Sequence, residues 1–280
     1  MGGYRLIGHP LGHSMSPQIH ERLFALEGRT DSYSLFPFPP DKLETQVPIL
    51  RGLEGFNITI PYKQAILPFL DSLDGSAALY GAVNTVRVQD GRMTGYNTDC
   101  DGFLRTMQAH GFSLKTSVCV AGAGGVGRMF AIEAVRQGAE LTIAVRDLSK
   151  GQALAREISE RFGCSVQVST LDALDRPFGL IINATPVGMS PQTGVSPLPG
   201  PVTARAGAVF DCIYNPRETR LLCDARKAGV PFAGGMEMLV WQAAVAHEIW
   251  HGSQFLPAQI DLLVDEMNAL LDRKAGEADA

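Results

Sequence analysis

Strand-like and helix-like segments alternate along the 280 residues, which predicts an α/β protein. Two observations sharpen that class. From about residue 117 to 212, short apolar runs alternate with helical stretches at the spacing parallel βαβ units require. One glycine-rich turn, Gly122 to Gly127, stands between such a strand and such a helix. The expected architecture is therefore a Rossmann-type doubly wound parallel sheet over residues 101–236. A second α/β domain is expected over 1–100, completed by C-terminal helices from 237–280.

The elements follow in order. Tyr4 to Gly8 predicts a short strand, and His9 to Met15 a polar loop. Ser16-Pro17 opens a helix, with Ser suited to the N-cap and Pro to the first turn; Ile19, Leu23 and Phe24 give its apolar face, and Gly28 ends it. Gly55 to Pro61 and Gly81 to Val86 predict strands, with a hairpin near Gly91 and Gly95. On the first of these, Asn57 and Thr59 share one face while Ile58 and Ile60 face the core. In the middle third, strands are expected at Ser117–Ala121, Glu140–Val145, Ser165–Val168, Gly179–Asn183 and Ala208–Cys212. A helix should run from the glycine turn to about Gln137, and another from Ser149 to Phe162. Glu237 to Trp250 and Ala258 to Leu271 predict long helices that fold back on the first third, followed by a polar tail from Lys274. Domain boundaries fall near Asn97–Gly102 and Gly234-Gly235.

A formal net charge of −5 argues against nucleic-acid binding, which needs a basic face. No stretch approaches the ~18 uninterrupted apolar residues of a membrane span, and the N-terminus carries no apolar signal core. The five cysteines are scattered and odd in number, which predicts free thiols and a cytoplasmic location.

Four motifs carry chemistry. The glycines of Gly122-Ala123-Gly124-Gly125-Val126-Gly127 let backbone N–H groups approach a pyrophosphate at a helix N-terminus. At the end of the next strand, Arg146 suits the 2′-phosphate of NADP and Asp147 the free ribose of NAD. The pair is also what a solvated salt bridge in a loop looks like. Lys63 follows the strand at 55–61, and Asp99 stands just before a helix. Taken singly, they read as a surface lysine and a helix N-cap. Paired in a cleft, the carboxylate would hold the lysine charged and aimed at a carbonyl oxygen. A fifth pattern, His247-Glu248-Ile249-Trp250-His251, matches the HExxH zinc-protease signature. C-terminal to it only Asp261, Asp265 and Glu266 offer a third ligand, so no metal is expected and the two histidines are placed on a wet helix face.

Together these segments resemble the shikimate dehydrogenase family over almost the whole chain. Gly12-His13-Ser14-Met15-Ser16-Pro17 resembles a loop whose serines hold the substrate carboxylate. The resemblance implies that role for Ser14 and Ser16. Gly55 to Lys63 resembles a segment that gives Thr59 a substrate role and Lys63 the catalytic one. Gly81 to Thr85 implies Asn84 on the substrate, and Asn97-Thr98-Asp99 implies Asp99 as the partner of Lys63. Asp211 to Pro216 implies Tyr214 near the substrate, and Met238 to Gln242 implies Gln242 on a substrate hydroxyl. Cofactor contacts are implied for Gly122, Ala123, Gly124, Gly125, Val126, Arg146, Asp147, Thr185, Met189 and Gly235. Glu237 departs from the small residue usual in the family, and Val145-Arg146-Asp147 departs from its NADP-preferring pattern.

The resemblance implies reversible reduction of 3-dehydroshikimate to shikimate with NADP, NAD being possible, in a monomer or homodimer with no nucleic-acid or membrane partner. In that picture the middle domain presents the nicotinamide to the substrate, and Lys63 protonates or stabilises the oxygen. The rivals are an NAD-dependent quinate/shikimate dehydrogenase, a non-catalytic dinucleotide sensor and a zinc hydrolase.

Overall fold

The computed structural model describes residues 3–12 and 14–278, with side chains through 274. The chain divides into two compact units, residues 1–103 with 239–267, and residues 104–238 with 268–280.

In the first unit the elements are β1 (Tyr4–Gly8), α1 (Ser16–Leu26), β2 (Tyr33–Pro37), α2 (Leu43–Leu50), β3 (Gly55–Ile58) and α3 (Tyr62–Ala65), then β4 (Ser72–Leu73), α4 (Gly75–Tyr80), β5 (Thr85–Gln89), β6 (Arg92–Tyr96) and the start of α5 (Thr98–Ala109). The sheet order is β2-β1-β3-β5-β6-β4. β2, β1 and β3 run parallel, β5 is antiparallel to β3, and β6 is antiparallel to β5. β6 therefore points the same way as β1 and β3. The loops after β1, β3 and β6, and the residues before β5, all gather at one end of the sheet. The β5–β6 hairpin turns on Asp90 and Gly91, with φ of 52° and 73°, the left-handed pair that matches strand twist.

The core of this unit joins Ile7, Phe56, Ile58 and Val86 of the sheet to Leu50, Tyr62 and Ile66. Each such buried side chain contributes roughly 1.5–3 kcal/mol relative to exposure. Trp250 is tied to the sheet by Nε1 donating to the carbonyl of Val86 at 3.0 Å. A Cβ at Gly55 would lie 2.4 Å from that indole nitrogen, so only glycine fits there.

In the second unit the elements are β7 (Ser117–Ala121), α6 (Gly125–Arg136), β8 (Glu140–Val145), α7 (Leu148–Phe162), β9 (Gln167–Thr170) and β10 (Leu180–Asn183), then α8 (Gly200–Thr203), β11 (Val209–Asp211), α9 (Arg220–Lys227) and β12 (Phe232–Ala233). All six strands are parallel, in the order β12-β11-β10-β7-β8-β9. Read from β9, this is the 3-2-1-4-5-6 order of the doubly wound dinucleotide fold, with its switch point between β7 and β10. The last helices are α10 (Gly235–His251) and α11 (Pro257–Ala278).

Several expectations needed correction. Ser16 is the first residue of α1 rather than its cap; Met15 occupies the N-cap without a side-chain bond. The strand at 55–61 ends at Ile58. Ile60 is 73% exposed, because the backbone turns away from the sheet before it, and Asn57 is buried with Ile58. Gly81 caps α4 in the left-handed region, so the next strand begins at Thr85. The unit boundaries fall inside α5 and α10, since helices run through both positions, and residues from Asn268 group with the second unit. The supposed tail continues α11 to Ala278, and 279–280 lie outside the described residues.

Candidate functional site

The first unit gathers a polar cluster at the carboxyl ends of its parallel strands, the edge where open α/β sheets bind ligands. Lys63, in the turn of α3, donates from Nζ to Oδ2 of Asp99 at 2.6 Å. Asp99 lies in the first turn of α5, where the helix dipole favours a carboxylate. Its other oxygen accepts from Asn84 Nδ2 at 2.8 Å. Both carboxylate oxygens are thus engaged, and the Lys63 ammonium is held in one direction. The pair is neither sealed nor fully wet: the lysine side chain is 25% exposed and the aspartate 15%. Two of the three ammonium donors are left for a ligand.

Asn84 is fixed from the other side. Its Oδ1 accepts from the Thr98 amide at 2.7 Å. Its amide also reaches Thr98 Oγ1 at 3.0 Å and, at 3.4 Å, Gln242 Oε1 on α10. Gln242 is oriented by donating to the carbonyl of Leu239 at 2.8 Å. Behind them Thr85 meets Thr98 at 3.1 Å, Asn57 donates to Thr85 at 2.9 Å, and Tyr33 donates to Asn57 at 2.8 Å. Asn57 is therefore a buried support, not a cleft-lining group. Thr98 and Thr85 lie within the motifs with no role assigned to them, and Tyr33 stands in no motif; their partnership with Asn57 and Asn84 comes from packing across strands.

Thr59 stands just past β3, its amide donating to the carbonyl of Ile7 at 2.9 Å. A Cβ at Gly8 would come within 2.4 Å of its methyl, so glycine lets Thr59 press against the end of β1. Ser14 Oγ donates to Ser16 Oγ at 3.1 Å and accepts from the Ser16 amide at 3.2 Å, which presents the two hydroxyls side by side.

The second unit holds a cleft of about 310 Å³ at its switch point, lined by Gly122, Ala123, Gly124, Val145, Arg146, Asp147, Lys150, Leu171 and Ala184 to Val187. The turn is built for close backbone approach. Gly122 has φ of 107°. A Cβ at Gly127 would sit 2.3 Å from the carbonyl oxygen of Gly122. By contrast, nothing lies within 4 Å of where a Cβ would stand at Gly124 or Gly125. Gly124 is the N-cap of α6 and no side chain caps the helix. The open space over uncapped N–H groups fits a dinucleotide pyrophosphate. Gly125 and Val126 begin that helix. Thr185 is held by Asn183 through its amide at 2.9 Å and its hydroxyl at 2.7 Å. Met189 and Arg146 line an adjoining groove.

Arg146 and Asp147 both line this cleft and differ in their partners. Asp147 is the N-cap of α7: its carboxylate accepts from the Ser149 amide at 3.0 Å and the Ser149 hydroxyl at 2.6 Å. The Ser149 hydroxyl and amide hold the carboxyl below its usual range. Arg146 is exposed and has no hydrogen-bond or ion-pair partner among the described residues. Lys150, one turn into the helix, adds a cation the sequence reading missed.

Three other residues are placed. Tyr214 follows β11, its phenol pushed up by burial. Gly235 opens α10, where a Cβ would lie 2.2 Å from the Cys212 carbonyl oxygen. Glu237, the departure without a local explanation, bonds His110 Nε2 at 2.7 Å.

The histidines of the HExxH pattern are not on a wet face. His247 is fully buried and His251 nearly so, and both turn Nδ1 toward Glu27, the C-cap of α1.

Comparison with known proteins agrees with this geometry. The family model for the shikimate dehydrogenase substrate binding domain matches residues 6–86. A shikimate dehydrogenase (NADP(+)) of Methanothermobacter thermautotrophicus is 37% identical, covering 96% of each chain. One from Methanopyrus kandleri is 40% identical over 89% of this chain and 90% of its own. A crystal structure of shikimate 5-dehydrogenase from Thermus thermophilus, in complex with NADP(H) and shikimate, superposes with a TM-score of 0.85 at 34% identity, covering 95% of this chain and 99% of that one. By sequence and by fold, the chain belongs to the shikimate dehydrogenase family.

Proposed function

We propose that the protein catalyses the reversible NADP(H)-dependent reduction of 3-dehydroshikimate to shikimate, a step toward aromatic amino acids. The observation that carries this reading is the 2.6 Å pair of Lys63 and Asp99, braced by Asn84 at the ligand-binding end of the first sheet.

In this reading NADP(H), when bound, supplies the hydride in one direction and takes it up in the other. The protein's own groups do the rest. Ser14 and Ser16 offer paired hydroxyls to the substrate carboxylate. Thr59, Asn84, Asp99 and Gln242 offer donors and acceptors to the ring hydroxyls, and Tyr214 is assigned to the same substrate. A free Lys63 N–H donates to the ring carbonyl oxygen and passes it a proton as the alcohol forms. Asp99 keeps the ammonium aimed.

The NADP preference rests on the two cations Arg146 and Lys150 at the cleft, where the one carboxylate, Asp147, has Oδ1 engaged by Ser149. The rival NAD-dependent quinate/shikimate reading draws on Asp147, whose Oδ1 is engaged by Ser149. Gly122, Ala123, Gly124, Gly125, Val126, Thr185, Met189 and Gly235 are the remaining cofactor residues.

The single-chain origin of the catalytic groups is compatible with a monomer or a homodimer. Five free thiols support a reducing, cytoplasmic setting. No helix among the described residues is long and apolar enough to cross a membrane.

The test is nicotinamide absorbance with shikimate and quinate, each against NADP and NAD. Turnover highest for shikimate with NADP is expected. No substrate-dependent change in any of the four would refute an enzyme, and a preference for quinate with NAD would refute this assignment.

A further inference from the structure

The HExxH pattern is unused by the reaction above, yet its two histidines meet an acid that sequence spacing does not reveal. Glu27, at the end of α1, approaches His247 Nδ1 at 2.9 Å and His251 Nδ1 at 3.0 Å. One donor atom from each of the three residues lies within 4.8 Å of the others. The side chains are 6%, 0% and 8% exposed, so the group is nearly dry. We propose that Glu27, His247 and His251 form a binding site for a divalent transition ion, Zn²⁺ foremost, that ties α1 to α10.

Zinc bound to two imidazoles and a carboxylate has bonds of about 2.0–2.2 Å, which set tetrahedral ligand atoms roughly 3.3–3.5 Å apart. The His–Glu separations need to open by only a few tenths of an ångström. The outer nitrogens are also provided for, as metal-bound histidines require. His247 Nε2 lies 2.9 Å from His20 Nδ1, and His251 Nε2 lies 2.8 Å from the Tyr4 hydroxyl. Tyr4 in turn donates to Glu54 at 3.1 Å. Ser253 donates to Glu27 and helps to orient its carboxylate.

The site is not that of a zinc protease. The converging histidine atoms are Nδ1, and the acid is a ligand from the C-cap of α1. Glu248, one residue beyond His247, points from another face of the helix and is not among the converging groups. The ion's role is to brace the first unit, independent of the dehydrogenase reading.

The test uses the full chain, stripped with a chelator and titrated with Zn²⁺ by calorimetry and with Co²⁺ by visible absorption. A single equivalent of Zn²⁺ is expected, with melting temperature rising with its concentration. Co²⁺ should give the ligand-field bands of a four-coordinate nitrogen/oxygen site without thiolate charge transfer. Glu27→Gln and His251→Gln should each weaken Zn²⁺ by at least ~10-fold, and Tyr4→Phe by about 10-fold, the usual range for an outer-shell partner. Equal Zn²⁺ affinity in parent and both ligand variants, a thiolate band, or no binding at all would leave the cluster as hydrogen bonds only and overturn the site. Should a variant fail to fold, the parent's cobalt spectrum decides alone.

Discussion

Replacing Lys63 by Met removes the ammonium and keeps most of the aliphatic stem. If Lys63 is the proton donor, turnover falls by ~10²–10⁴-fold, the range for losing a general acid. That corresponds to about 3–5 kcal/mol of barrier. Stability should hardly follow. The ion pair is a quarter exposed on the lysine side, so solvent screens it to about 1 kcal/mol or less. Asp99 keeps its bond from Asn84 at 2.8 Å and its place at the N-terminus of α5. About 1 kcal/mol in a unit of this size moves the melting temperature by roughly 2–4 °C. The assay is therefore a pair of measurements on one preparation: steady-state turnover with saturating shikimate and NADP, and thermal melting. A large loss of turnover with a small shift in melting is the expected outcome. Near-normal turnover would refute the role outright. A loss matched by a collapse of the melting temperature would reduce Lys63 to a structural residue.

The other predictions concern the second unit. Gly127→Ala would push a methyl within 2.3 Å of the Gly122 carbonyl oxygen; relief by backbone movement costs about 1–3 kcal/mol and should weaken NADPH by roughly 10-fold or more in a fluorescence titration. Unchanged binding would show that the turn is not the pyrophosphate site. Arg146→Ala removes a charge-assisted contact worth about 1.5–3 kcal/mol, so the NADP-over-NAD preference in kcat/KM should drop by ~10–100-fold. An unaltered ratio would rule that contact out. Asp211, buried between Asn183 and Thr219, is pushed up to about 6 by burial, against hydrogen bonds that favour its ionised form. The native state then holds a proton the unfolded chain has lost. Stability from this group is full below about pH 4 and is lost as pH rises through about 6, by roughly 3 kcal/mol in total. Asp211→Asn should flatten that slope in urea unfolding; identical slopes in parent and variant would sink the assignment.

Local physics made much of this protein legible from its sequence. The strand–glycine–helix signal at 117–136 is contiguous, and its steric reason is local, so both the turn and the parallel sheet around it could be read directly. The Lys63–Asp99 partnership is not local. A family resemblance carries it, while the residues taken singly read as a surface lysine and a helix cap. Tertiary structure decided it, because strand directions bring the ends of β3 and β6 to one edge. Tertiary structure also set the partners of two adjacent charges that both line the cleft: Asp147 caps α7 through Ser149, while Arg146 has no partner among the described residues. The same holds for Glu27, which lies 220 residues before His247 and becomes its neighbour only through the packing of α1 on α10. Periodicity and turn chemistry act over a few residues and so are written in the chain; which side chains meet across hundreds of residues depends on register and packing, which only the folded protein fixes.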